Sequence, residues 1–312
     1  MRLQLGRQRL AWRLAAVIVV IAALLVSLLA RSRHSPAPRS TPLGPYRGLG
    51  AWIDIYDTSQ WDHPASTVAE AARRGVHTLF LETSNFRSEE PLHDLRALDS
   101  FIAAAHARHI RVVAWYLPSF EDVGFDLNRA LAAIGYETPG GDGFDGFSLD
   151  IECDAIEDPV LRTQRALQLA ERIRSAVGDS YTLGAIVPDP LSLSRAHSMW
   201  DGFPYARLSD YFDVFLPMGY FTFHVHGKDA ARTYTAREAG IIRSKTQRPH
   251  LPIHVIGGLA AHMDGPETAG FVFGAFQGRA IGGSLYDLAG TGRSQWHELS
   301  KLEGLRGPAR PG

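Results

Sequence analysis

The chain contains a single cysteine, Cys153, among 312 residues. No intramolecular disulfide can form, and a four-cysteine zinc site is excluded. Lysine is scarce as well: Lys228, Lys245 and Lys301 are the only ones, and the surplus of arginine reads as coding bias. Neither sign of charge dominates. The formal net charge is −1, so no global field favours nucleic acid or another charged partner. No internal repeat is visible. What is present is ordinary for a globular protein, 45% hydrophobic and 21% charged. Without disulfides the fold must be held by its core, and a chain of this length can bury a large one.

The N-terminus carries the clearest local signal. Residues 14–30 hold no charge and are mostly Ala, Val, Ile and Leu, a run at the short end for a membrane-spanning helix. Arg2, Arg7, Arg9 and Arg13 precede it and should keep that end in the cytoplasm. Arg31 and Arg33 follow it and weaken the asymmetry without reversing it. A cleaved signal peptide is the alternative, yet no small-x-small site closes the run, since Leu28 stands in the wrong place if Ala30 ends it. The expected order is a basic cytoplasmic segment (1–13), a transmembrane anchor or signal (14–30), a Pro/Ser/Arg tether (31–47), a folded domain outside the cytoplasm (48–303) and a disordered tail (304–312). The domain is secreted if the segment is cleaved.

Within 48–303, strand-like and helix-like patterns alternate. Strands are expected at 50–56, 78–82, 111–116, 147–152, 182–187, 212–218, 253–257 and 280–285. Helical patterns cover 67–74 (with Ser66 as N-cap), 95–109, 127–134, 232–243 and 268–276, and Ala166, Leu169, Ala170, Ile173 and Val177 mark a further helix face. Alternation implies parallel pairing through crossovers. Eight units over about 250 residues is the size of a closed (β/α)8 TIM barrel. A doubly wound open sheet ranks second, because no glycine-rich phosphate turn follows the first strand.

In such a barrel the active site lies at the C-terminal ends of the strands. The polar and aromatic residues there are Asp54, Asp57, Glu82, Trp115, Tyr116, Asp150, Glu152, Asp189, Tyr220, Tyr286 and Asp287. The stretch from Asp145 to Glu152, D-G-F-S-L-D-I-E, is the most informative. Strand alternation puts Ser148, Asp150 and Glu152 on one side. Two carboxylates this close repel each other, which raises one pKa and keeps a proton donor near neutral pH. Cleavage of a glycosidic bond needs such a donor for the leaving oxygen.

This strand resembles that of the family 18 glycoside hydrolases, the chitinase-like barrels, whose fourth strand reads D-G-x-D-x-D-x-E. Asp145, Gly146, Asp150 and Glu152 match, and Ser148 replaces the middle aspartate. Met218-Gly219-Tyr220 looks like the family's M-x-Y segment, with Phe221 where an Asp is common, and Tyr286 stands where a Trp is usual. The resemblance implies Glu152 as general acid. It implies that Asp150 orients a 2-acetamido group whose oxygen attacks the anomeric carbon, and that Tyr220 donates a hydrogen bond to that oxygen. A serine at 148 cannot take up a proton, so reduced activity, another substrate or loss of catalysis are all open. A weaker similarity, in Ile53-Asp54-Ile55, Gly75-Val76, Phe80-Leu81-Glu82-Thr83 and the D-x-E of the fourth strand, is to the family 25 lysozymes.

The expectation is a glycosidase acting on an extracytoplasmic, GlcNAc-containing polysaccharide, with Glu152, Asp150 and Tyr220 catalytic. Asp54, Glu82, Trp115, Tyr116, Ser148 and Tyr286 are expected to line the substrate site. No cofactor, metal or nucleic acid is expected, and the domain is read as a monomer. A non-catalytic glycan-binding barrel is the alternative, which Ser148 and Phe221 favour. A metal-dependent hydrolase using Asp54, Asp57, His224 or His226 ranks last. Asp145 is read as a turn or strand-start contact, and Cys153 as packed behind its strand.

Overall fold

The structure, a computed structural model, describes residues 41–306. Eight parallel strands close into a barrel in sequence order. They are β1 (Gly48–Ile53), β2 (Thr78–Asn85), β3 (Arg111–Leu117), β4 (Gly146–Asp150), β5 (Leu183–Pro188), β6 (Val214–Met218), β7 (His254–Leu259) and β8 (Gly282–Tyr286). Seven longer helices wrap them: α1 (Pro64–Arg73), α2 (Leu95–His106), α3 (Val123–Ile134), α4 (Pro159–Val177), α5 (Lys228–Thr246), α6 (Gly265–Gln277) and α7 (Arg293–Leu299). The (β/α)8 architecture is therefore as the alternating pattern predicts. Between β5 and β6, where no helical period stands out, only the short helices Pro190–Leu193 and Tyr205–Leu208 form. That corner is filled by buried Trp200, with the Arg162 guanidinium 4.7 Å from its ring centre.

Helix starts follow local chemistry. Asp94, Asp122 and Asp158 each accept backbone N–H bonds at the N-termini of α2, α3 and α4. Ser66 does not cap α1; Pro64 opens that helix and the Ser66 hydroxyl donates to His63 O at 3.0 Å. The first and last described segments are more ordered than expected. Gly44–Tyr46 forms a 3-10 turn with Tyr46 fully buried, so the tether does not run to 47, and Ser300–Arg306 is a 3-10 helix that buries Leu302. The apolar run at 14–30 lies outside the described residues, and among the described residues no helix is long and apolar enough to cross a membrane.

The period of two divides the apolar residues into two cores. Leu49, Ala51, Ile53, Val112, Ala114, Tyr116, Phe147 and Leu149 face the helices, while Trp52, Phe80, Val113, Trp115, Ile186, Val214, Leu216, Met218 and Ile256 fill the interior. Trp52 stacks on Phe80, with ring centres 4.3 Å apart and planes 12° from parallel. Tyr46 seals the interior below β4: its hydroxyl donates to Phe147 O at 2.9 Å and lies 3.2 Å from Ser148 Oγ. Beside it, His254 Nδ1 is 2.9 Å from Tyr46 O, and His254 Nε2 is 3.0 Å from Ser284 Oγ, which accepts from Trp52 Nε1 at 2.7 Å. A carbonyl only accepts, so Nδ1 carries the hydrogen and Nε2 accepts from Ser284. Burial pushes the His254 imidazole down to about 4, which keeps it neutral in this network.

Candidate active site

A cleft of 290 Å³ opens at the C-terminal ends of the strands, lined in part by Asp54, Glu82, Trp115, Asp150, Glu152, Tyr220 and Tyr286. Each is delivered by a strand end. Asp150 is the last residue of β4 and Glu152 follows two positions on, so both face inward. Asp150 is 5% exposed, and its Oδ1 is buried without a hydrogen-bond partner. Burial, and then the charges of Glu152 and Glu82, hold its carboxyl well above the usual carboxylate range. Half-buried Glu152 is also pushed up, by burial first and then by Asp154. A buried acid with no donor keeps its proton, so the β4 end holds a proton donor at the cleft.

Tyr220 reaches the same cleft by a different device. The backbone turns sharply after β6, with Tyr220 at φ 38° and ψ 45°, tied by Gly219 N to Ile256 O and Tyr220 N to Gly257 O at 3.0 and 2.9 Å. A Cβ on Gly219 would lie 1.9 Å from Glu238 Oε1, so a side chain here would displace the buried Glu238 carboxyl. Burial and the charges of Glu152 and Asp150 keep the Tyr220 phenol well above its usual range, so it remains a hydrogen-bond donor. Its ring centre is 6.2 Å from that of Tyr286.

On the opposite wall, Tyr286 Oη donates to Asp54 Oδ2. Asp54 Oδ1 accepts Tyr56 N–H at 2.7 Å. Glu82 accepts Ile55 N–H at 3.0 Å and the Asn85 amide at 3.1 Å. Burial nevertheless pushes Glu82 up to about 7, with Asp54 and Asp57 adding to the rise. Asp57 is raised to about 6, by burial and then by Asp54.

Two expected site residues are elsewhere. Tyr116 is fully buried on the outer face of β3, donating to Asp126 Oδ1 at 2.6 Å. Consecutive strand residues point to opposite faces, so Trp115 and Tyr116 cannot both reach the cleft. Ser148 faces inward as expected but one layer lower, fully buried against Tyr46 and beside Gly184. Asp145 sits at the start of β4, accepting Val112 N–H at 2.8 Å and pairing with Arg111 at 2.6 Å and His106 at 3.0 Å. Cys153 is packed against the outer core.

Asp189 caps the helix Pro190–Leu193 and accepts the Tyr234 hydroxyl at 2.6 Å. His224 lies 3.5 Å from Asp189, whereas His226 turns to Glu267 at 3.4 Å. Among the described residues no group of three His, Cys, Asp or Glu could hold a metal ion. The cleft also takes in Tyr56, Asn85, Phe86, Arg87 and Leu117, which sequence reasoning passed over. β2 and β3 run on to Asn85 and Leu117, past the expected ends at 82 and 116. Asn85, three residues after Glu82 and able to bond it, was the readable signal.

No family model matches the sequence, and no curated protein matches it. Solved structures do. The endo-β-1,4-mannanase from Thermotoga petrophila is 10% identical over 84% of this chain and 77% of that chain, with a TM-score of 0.64. A family GH18 chitinase from Cycas revoluta, in complex with allosamidin, is 10% identical over 82% of this chain and 100% of that one, at 0.60. The spore cortex-lytic enzyme SleL of Bacillus cereus is 11% identical over 82% and 74%, at 0.59. At these identities the likeness is one of fold: the chain has the barrel of these glycoside hydrolases, family 18 chitinases among them.

Proposed function

We propose that the protein is a retaining glycosidase acting on a GlcNAc-containing polysaccharide, with Glu152 as general acid, Asp150 assisting and Tyr220 orienting. The observation that carries this reading is the buried β4 pair. Asp150 and Glu152 open into one cleft with Tyr220, and both carboxyls are raised by burial. The resemblance of β4 to the family 18 strand supplies the chemistry. The acetamido oxygen of the sugar bonds to the anomeric carbon as the glycosidic C–O bond breaks, and the leaving oxygen takes the Glu152 proton. Glu152, now a carboxylate, then removes a proton from the water that adds to that carbon as the bond to the acetamido oxygen breaks and the acetamide re-forms. Asp150 receives the acetamido N–H, and Tyr220 donates to its oxygen.

The decisive experiment is Glu152→Gln in the full chain, assayed on chitin-type oligosaccharides and on peptidoglycan. Reducing ends should be released by the parent and lost in a variant that still folds. Full activity in the variant refutes the assignment. A glycan-binding barrel without catalysis is the second reading, favoured by Ser148, which leaves β4 one carboxylate short of the family pattern. Glycan binding by the parent with no reducing ends released would select it. The apolar run at 14–30 supports placing the barrel on the outer side of a membrane, anchored by a single pass. Fractionation with protease accessibility tests the placement.

A further inference from the structure

The proposed reaction gives no task to Glu82. It is the deepest of the cleft's side-wall acids, 2% exposed on β2. Both of its oxygens are held, Oε2 by Ile55 N–H at 3.0 Å and Oε1 by the Asn85 amide at 3.1 Å. Asp150, two strands away, is equally buried, and its Oδ1 has no partner. The strand between them brings Trp115 beside Glu82 on one side and beside Ser148 on the other. Of two buried acids in one cleft, the one with two donors is the better place for a negative charge, and the one without keeps the proton.

We propose that Glu82 is a positioning residue for Asp150: its charge, anchored by Ile55 and Asn85, keeps Asp150 protonated at the cleft. Position 148 leaves little room for a carboxylate in its place, since Ser148 Oγ lies 3.2 Å from the Tyr46 hydroxyl and fills the space over Gly184. Other charges face the pair. Asp54 and Asp57 follow β1, and both raise Glu82. Glu152 shares the β4 end and raises Asp150 ahead of Glu82. Tyr220 and Tyr286 face it as neutral phenols, and Arg87 lines the rim after β2. Glu82, raised to about 7, carries its charge from about that pH upward, and the interaction acts there.

The inference rests on the glycosidase reading only for its kinetic consequence, so the test has two arms. The first follows the carboxyl resonances of 13C-labelled Asp and Glu in the full chain, with Asp150 identified by its loss in Asp150→Asn. In Glu82→Gln the Asp150 titration should move down by about half a unit or more, because a nearby like charge has been removed. In the second arm the basic limb of kcat/KM should move the same way, with kcat changing more than KM. Should Glu82→Gln not fold, Asn85→Ser removes the amide donor instead. Glu82 should then titrate higher, and Asp150 lower. An Asp150 titration that stands still, or rises, in a folded variant overturns the proposal. If the parent cleaves no glycan yet the Asp150 titration moves, the positioning role stands and the glycosidase reading falls.

Discussion

Tyr286 Oη donates its hydrogen to Asp54 Oδ2, tying the end of β8 to the end of β1 at the cleft mouth. A hydrogen bond to a carboxylate is worth about 1.5–3 kcal/mol, and this one is partly solvated. Tyr286→Phe should therefore lower stability by about 1–2 kcal/mol in urea unfolding. It should also weaken glycan binding, since Asp54 is released into the cleft. Unchanged affinity would place this pair outside the binding surface.

Ser148→Asp should destabilise the barrel by about 3 kcal/mol or more, because a carboxyl would be buried beside only the Tyr46 hydroxyl. Its folded pKa would be raised, so the folded state binds more protons than the unfolded one above about pH 4. The variant should lose stability as pH rises. Ser148→Ala should cost about 1 kcal/mol, the value of one buried hydrogen bond. Denaturant midpoints across pH 4–8 check both.

His254 has a pH signature of opposite sense. Its folded value of about 4 lies below the ordinary value near 6.5, so the unfolded chain binds more protons between them. Stability should fall by roughly 3 kcal/mol as pH drops from about 6.5 to about 4. The raised carboxyls of Glu82 and Asp57 act the other way, destabilising as pH rises from the unfolded carboxylate range near 4 up to about 7 and about 6 respectively. The contribution of His254 is isolated as the difference from His254→Gln. Parallel pH profiles of the two proteins would count against the buried neutral imidazole.

Trp115 and Tyr116 should separate cleanly. Tyr116→Phe strips a buried partner from Asp126 and should cost about 1.5–3 kcal/mol while leaving kcat and glycan affinity unchanged. Trp115→Phe removes a side chain of the cleft and should weaken glycan affinity with a smaller effect on stability. Calorimetric unfolding and binding titrations on the same preparations test the contrast.

These two residues also mark where the sequence was legible. Strand positions and the barrel follow from apolar runs separated by helical periods, a signal summed over many residues. Asp150 and Glu152 were legible because a spacing of two on one strand leaves them on the same face. Tyr116 has the composition of a site residue but the wrong parity: one position after Trp115, it points outward. Ser148 has the right parity, but its depth depends on Tyr46, about a hundred residues away and ahead of the first strand. Asn85 and Arg87 depend on how far β2 runs, and strand ends carry little periodic information.

Tyr46, Ser148 and Gly184 occupy one small volume at the base of the barrel, and that constrains the order in which the chain can change. Ser148 Oγ already lies 3.2 Å from the Tyr46 hydroxyl, so a longer side chain at 148 would press on the tyrosine. Replacing the tyrosine first opens a hole in the floor, which lowers stability before any benefit appears. Each single step is penalised. Changes to the chemistry of the site are easier at the mouth, where positions 54, 82 and 286 line the cleft away from this floor.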